Sequence, residues 1–357
     1  MTVVVGGQYG SEAKGKLVAH LALTTVGKVA VVRCGGTNSG HTVDIAGRRY
    51  VLRQLPSGVV EAGAALYLGA GMVIDPALLL TEMQDLAVEA GRVMVDRNAV
   101  VLEREDQVHE EKATLLDRIG STLSGTGSAT ARKVLRGPAV RLAGSETRLR
   151  DLVGNVSRQL NDAVDIGGTV IVEGTQGAGL SLHHSPHYPF VTGRETSAAG
   201  FLSEVGLSPT LVDDVIAVFR TYPIRVAGNS GPLPGELTWQ EVRRRSGAPC
   251  ELVEYTSVTG RVRRVAEFDW DQAEEAVRLN RPTALAVHGL DYIDYADRSA
   301  TTYAELSAAS KAFMVQMERR LGTPVRFVFT GPSLRDLIDL RLERLSGTIR
   351  VARSLGV

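Results

Sequence analysis

The chain has 357 residues, length for about two average domains or one large α/β domain with a sizeable core. With 44% hydrophobic, 22% charged and 5% aromatic residues, it is not a disordered, collagenous or coiled-coil chain. Its 40 basic and 40 acidic residues cancel; this excludes the one-signed field of a nucleic-acid-coating protein or a polybasic membrane binder, so an anionic ligand has to be bound locally.

The first residues carry no charged leader, and no apolar run approaches the roughly 18 residues of a membrane span, so neither export nor a membrane segment is expected. Thr2–Val5 reads as a strand that runs into Gly6-Gly7, and a helical pattern follows from about Lys14. Further strands are expected at Val29–Val32, Leu66–Leu68, Val93–Val95, Thr169–Val172, Val215–Phe219, Ala284–Val287 and Val325–Phe329. Helical patterns lie between many of them, as at Pro76–Ala90, Asp269–Leu279 and Tyr303–Leu321. That alternation predicts an α/β fold, a large mostly parallel sheet covered by helices on both faces, in one domain over residues 1–357 with helical insertions. Gly120–Thr130, rich in Gly, Ser and Thr, reads as an exposed loop. Cys34 and Cys250 are too few for a disulfide framework; a cytoplasmic setting is expected, with both thiols as small buried apolar groups.

Gly10-Ser11-Glu12-Ala13-Lys14-Gly15-Lys16-Leu17 fits the phosphate-loop pattern G-x-x-x-x-G-K, with Leu17 where such loops carry Ser or Thr. Glycines turn backbone N–H groups toward phosphate oxygens, the helix start adds partial positive charge, and lysine adds a mobile cation. The missing hydroxyl means that a metal is held by another group. A second loop, Cys34 to Thr42, also follows a strand and carries Asn38, Gly40 and His41, an amide and an acid–base group beside free amides.

Together, Gly7-Gln8-Tyr9-Gly10-Ser11-Glu12-Ala13-Lys14-Gly15-Lys16 and Gly36-Thr37-Asn38-Ser39-Gly40-His41-Thr42 resemble the paired signature of the adenylosuccinate synthetase family. Glu173-Gly174-Thr175-Gln176-Gly177 is similar to its E-G-A-Q-G, Tyr188–Thr192 to its Y-P-x-V-T, Val258–Arg264 to its T-T-G-R-R-R-R, and Thr330-Gly331-Pro332 to its C-terminal nucleotide loop. The resemblance implies a Mg²⁺-dependent ligase with Gly10, Ser11, Glu12, Ala13, Lys14, Gly15, Lys16, Gly40, His41, Thr42 and Arg263 around a triphosphate. Asp291, Thr330, Gly331 and Pro332 are implied at the same triphosphate nucleotide, Asp291 at its base, and Ser11 with the Gly40 carbonyl at the metal. Ser11, Asn38, Ser121, Thr122, Gln176, Thr192 and Arg261 are implied around a nucleoside monophosphate, with Arg136 reaching a partner's site across a homodimer. Val258, Thr259, Gly260, Arg261 and Arg263 are implied at the carboxylates of L-aspartate, which guanidinium groups grip bidentately. Ser11 and His41 are the implied catalytic groups.

Three departures redirect the reading. The family has an aspartate at Ser11, where it takes the N1 proton of inosine monophosphate and binds Mg²⁺. The family's T-K-L-D is here His288-Gly289-Leu290-Asp291, and the chain is shorter than the usual enzyme between Tyr295 and Tyr303. These features resemble the 2-aminoadenylosuccinate synthases of bacteriophages that replace adenine by 2,6-diaminopurine, which act on deoxyguanosine monophosphate. The chemistry agrees: the 2-amino group of guanine would crowd a carboxylate at N1, whereas a serine hydroxyl is smaller and can accept from it. The loss of the lysine predicts ATP or dATP as donor rather than GTP. An ordinary synthetase using inosine monophosphate and GTP, a decayed site, and a nucleotide-dependent switch are the alternatives.

Overall fold

The computed structural model describes residues 1–45, 48–256 and 260–342. Ten strands form the main sheet: β1 (Thr2–Gly6), β2 (Val29–Arg33), β3 (Ala65–Leu68), β4 (Val93–Asp96), β5 (Val153–Gly154), β6 (Thr169–Glu173), β7 (Asp214–Arg220), β8 (Ala284–His288), β9 (Val325–Phe329) and β10 (Leu337–Asp339). Their spatial order is β10-β9-β8-β7-β1-β6-β2-β3-β4-β5, and only the β9–β10 pair is antiparallel. All eight expected strands are present. They are short β-branched runs buried on both faces, as a parallel sheet covered by helices requires. Two apolar clusters, one on each face, hold the layers together.

The helices differ from expectation where a cap intervenes. The pattern at Pro76–Ala90 stops at Asp85 because Ala87 turns left-handed and Val88 N–H bonds back to the Met83 carbonyl at 2.8 Å. The pattern at Tyr303–Leu321 divides into a 3₁₀ turn, Tyr303–Glu305, and a helix, Ala308–Leu321, which Ser307 caps by accepting from Ser310 N–H. Gly120–Thr130 is not wholly loop: a helix, Thr126–Val134, begins inside it. The buried Glu110 carboxylate, from the neighbouring helix Arg104–Lys112, accepts from the N–H groups of Gly125, Gly127 and Ser128 and so caps that helix from outside. Cys34 is buried as expected. Cys250 is exposed, with Sγ 3.4 Å from the Tyr295 hydroxyl. No helix among the described residues is long and apolar enough to cross a membrane.

Candidate active site

At the carboxyl ends of β1, β2, β6, β7 and β8, apolar strands close on groups that carry or admit charge. In the sheet register Glu173 stands beside Arg33, and Arg220 beside His288. This is the edge where open parallel sheets take ligands. A cavity of about 550 Å³ opens over it.

β1 runs through Gly6 into the phosphate loop, and the helix Lys14–Thr24 begins at Ala13, in a left-handed conformation with no side chain capping it. Lys16 and Leu17 N–H bond the Ala13 carbonyl at 3.1 and 3.3 Å, no side chain caps the remaining first-turn N–H groups, and Lys14 and Gly15 line the cavity. The loop is held from within. Glu12, 1% exposed, accepts from the N–H groups of Gln8 and Gly10 at 3.1 and 2.7 Å and pairs with Lys14 Nζ at 2.8 Å. Glu12 and the Gly10 amide are thus committed to the fold rather than to an incoming phosphate. Lys16 Nζ donates to the Gly331 carbonyl at 2.7 Å, which ties the phosphate loop to the C-terminal loop.

His41 begins the hairpin strand His41–Ile45 and is anchored by residues far from it in sequence. Its Nδ1 bonds the buried Glu173 carboxylate, which also accepts from Ser57 Oγ and N–H at 2.6 and 2.7 Å. Arg33, fully buried, approaches the same carboxylate at 3.9 Å and donates to the carbonyls of Ser39, Leu52 and Leu55, so it also fixes the second loop. With Nδ1 engaged, Nε2 is the ring nitrogen left for the cavity that His41 lines. Burial, with Arg33 nearby, lowers its pKa to about 4 against the pull of Glu173. The resting ring is neutral, and an anion bound beside it would favour the imidazolium. Gly15 permits the close approach: a Cβ there would lie 2.8 Å from the His41 Cβ and 2.7 Å from Ser57 Oγ.

The far wall is cationic. Glu254 accepts from both terminal nitrogens of Arg220, from Arg263 at 3.2 Å and from the Tyr292 hydroxyl at 2.8 Å. Arg220 also donates to the Ser11 carbonyl at 2.9 Å. Asp291 follows Gly289 in the turn after β8, and its carboxylate accepts from Arg298 at 2.9 Å.

Of the residues implied by the sequence, Gly10, Ser11, Ala13, Lys14, Gly15, Lys16, Gly40, His41, Thr42, Arg263, Asp291, Gly331 and Pro332 line this cavity. Thr330 lies beneath it, with Oγ1 donating to the Ala300 carbonyl. Asn38 and Gln176 meet beside it, Nε2 of Gln176 donating to Oδ1 of Asn38 at 3.3 Å. Ser121 and Thr122 make turn contacts within their own loop, to Leu123 N–H and Ser124 Oγ, and Thr192 N–H donates to the Leu180 carbonyl. Arg136 is exposed, next to Val134 and Leu135, which are 68% and 78% exposed. Gly260 and Arg261 are exposed on a loop that Thr256 closes by accepting from Arg261 N–H; Val258 and Thr259 lie outside the described residues. Arg33, Ser57, Arg220 and Glu254 were not anticipated. For two of them the sequence did hold a signal, an apolar strand run closed by a single arginine.

The oxygen donors near the phosphate loop fit a cation that brings its own ligands. Ser11 and Gly40 line the cavity, and no cluster of three Asp, Glu, His or Cys able to hold a metal occurs among the described residues. A hydroxyl and a carbonyl are hard neutral donors, suited to Mg²⁺ that keeps phosphate oxygens and waters as most of its shell.

Cationic walls around a helix start, at the carboxyl edge of a parallel sheet, define a protein that binds a polyphosphate nucleotide. The family model of adenylosuccinate synthetase matches residues 3–144 and 138–300. The adenylosuccinate synthetase of Thermococcus onnurineus is 41% identical over 342 residues, 95% of this chain and 98% of its own, and that of Methanocaldococcus jannaschii is 39% identical over 348 residues, 96% and 97%. Among solved structures, the succinoaminodeoxyadenylate synthetase of cyanophage S-2L, bound to dGMP and to dATP as an energy donor, superposes with a TM-score of 0.81 at 30% identity over 97% of this chain and 98% of its own. The adenylosuccinate synthetase of Plasmodium falciparum superposes with a TM-score of 0.84 at 21% identity over 95% and 99%, a likeness of fold. The chain belongs to the adenylosuccinate synthetase family, C–N ligases of purine nucleotide synthesis that depend on Mg²⁺. One expectation needs correction. The archaeal enzymes have about this chain's length, so its shortness does not set it apart from ordinary synthetases.

Proposed function

We propose that this chain joins L-aspartate to C6 of dGMP, with ATP or dATP as phosphate donor, and so forms N6-succino-2-amino-2′-deoxyadenylate. Ser11 carries the reading. It places a short hydroxyl on the cavity wall where the family pattern has a carboxylate, in a loop whose helix start, Lys16 and oriented His41 are otherwise in place. The phage relative bound to dGMP and dATP supports the same pair of substrates.

The γ-phosphoryl group passes to O6 of the guanine as N1–H is lost and the nucleoside diphosphate departs. The aspartate amine then attacks C6 and expels phosphate. The helix-start amides and Lys16 hold the triphosphate, and His41, kept protonated by the phosphates it faces, donates from Nε2 to the transferring group. Mg²⁺, when bound through Ser11 and Gly40, neutralises phosphate charge. Asn38, Gln176, Ser121, Thr122, Thr192 and Arg261 surround the monophosphate in this scheme, and the loop Val258–Arg264 takes the aspartate carboxylates. The chain acts as one domain in a homodimer; the exposed Val134 and Leu135 beside Arg136 suit a face that a second copy covers.

A second reading, inosine monophosphate with GTP, is favoured by the higher identity to the archaeal synthetases. Incubating dGMP or inosine monophosphate with aspartate, Mg²⁺ and ATP, dATP or GTP, with products identified by mass, separates the two. The succinylated 2-amino-deoxyadenylate is expected from dGMP; turnover of inosine monophosphate about tenfold faster, equivalent to about 1.4 kcal/mol in the barrier, would reverse the assignment.

A further inference from the structure

We propose that Arg298 selects the base of the phosphate donor by holding one oxygen of Asp291, so that the two side chains together present an acceptor and a donor to the edge of adenine. The inference rests on the reading above only in taking the Asp291–Pro332 end of the cavity as the donor-base subsite.

Asp291 is 3% exposed, and Arg298 Nη1 donates to its Oδ2 at 2.9 Å. Both residues line the cavity. Arg298 is held in place: its guanidinium lies 5.4 Å over the Tyr295 ring. The preceding Asp297, fully buried, accepts from Ser307 N–H at 2.6 Å and from the hydroxyls of Ser307 and Ser310, which fastens this segment to the start of the helix Ala308–Leu321. Burial pushes the Asp291 carboxyl up to about 6, opposed first by Arg298. Without the arginine that carboxyl would rise further, so the donors are compared at about pH 8, where the carboxylate form is favoured.

A carboxylate reads guanine by taking N1–H and the 2-amino group together, which asks for both oxygens. Arg298 already takes one lone pair of Oδ2, and a base seated there would bring the N–H groups of guanine against those of the guanidinium, donor against donor. Adenine offers the complementary edge. Its 6-amino group donates to Oδ1, and its N1 lone pair accepts from the guanidinium.

Arg298→Ala and Arg298→Gln test this against the unchanged enzyme. Two readouts are needed: equilibrium binding of ATP and GTP without turnover, and the ATP-to-GTP ratio of kcat/KM measured with dGMP and, separately, with inosine monophosphate. The unchanged enzyme is expected to prefer ATP, and Arg298→Ala to shift both ratios toward GTP by about tenfold, the scale of one donor left unpaired once the bound base covers it. Arg298→Gln, which keeps an N–H donor without charge, should fall between them. A ratio in Arg298→Ala within about twofold of the original, well under the cost of one lost hydrogen bond, would overturn the proposal, as would unchanged enzyme confined to GTP. Because the ratio is read with either monophosphate, failure of the dGMP assignment leaves this test intact.

Discussion

The ring of His41 is oriented by groups that come from three separate parts of the chain. Glu173 fixes Nδ1, Ser57 fixes Glu173 through two bonds, and Arg33 balances the buried carboxylate. His41→Ala should cut kcat by about 10²–10⁴, the scale of a positioned acid, with donor binding largely kept. Glu173→Gln should act through the same step. The neutral amide no longer favours the imidazolium that has to donate from Nε2, so kcat falls on the order of 10²-fold or more while KM for the donor moves little. Steady-state kinetics beside a melting curve check this: wild-type kcat in a folded Glu173→Gln protein would show that Glu173 has no positioning role. His41 was legible because it stands among glycines in a motif. Glu173 sat in a recognised motif without a role, Arg33 closes an apolar strand run whose signal was passed over, and Ser57 was not legible, since only the turn at Ser57–Val60 brings it to the ring.

Among the elements, the strands were the most legible part, because each is a short apolar run and burial on both faces leaves no alternative pattern. The helices were less so. Ala87 and the remote Glu110 cap decide two helix ends, and neither a left-handed alanine nor a cap borrowed from another helix has a local sequence signature. The polar ends of the strands were written in the sequence but passed over, and His288 at the end of β8 carries a consequence for stability. Burial, with Arg220, Lys16 and Arg263 nearby, holds its imidazole well below the ordinary value. The folded state therefore keeps it neutral, whereas the unfolded chain takes up a proton near pH 6.5. The stabilisation is present above that pH and is lost as pH falls, at up to about 1.4 kcal/mol per pH unit for one group. Urea midpoints at about pH 8 and pH 5.5 should fall less in His288→Asn than in the unchanged protein; equal falls would show that His288 is not the group being charged.

For the whole molecule, the cavity of a single chain gathers the phosphate loop, the His41 loop and the Asp291 turn but leaves Arg136 at the surface, and the proposed homodimer would bring it to the monophosphate of a second copy. Arg136→Ala should raise KM for the monophosphate. A mixed dimer of this variant with His41→Ala should regain activity, because one of its sites then combines an intact His41 with the partner's intact arginine. Sedimentation shows the state of the active enzyme, and full activity in a monomer would rule the arrangement out.

The turn after β8 bears on how such an enzyme changes its fuel over time. Gly289 has φ +87°, its carbonyl accepts from Thr221 Oγ1 at 2.6 Å, and a Cβ there would lie 3.0 Å from that same hydroxyl. A lysine restored at this position would meet a backbone shape that side chains disfavour by about 1 kcal/mol and a neighbour already in the way. The substitution is therefore easier to make than to undo. If ATP or dATP is the donor and Arg298 selects it, as proposed, a lineage that has settled on glycine here would regain a guanine-directed donor more readily by losing Arg298 than by recovering the lysine, and descendants of such a reversal would keep the glycine as a trace of their history.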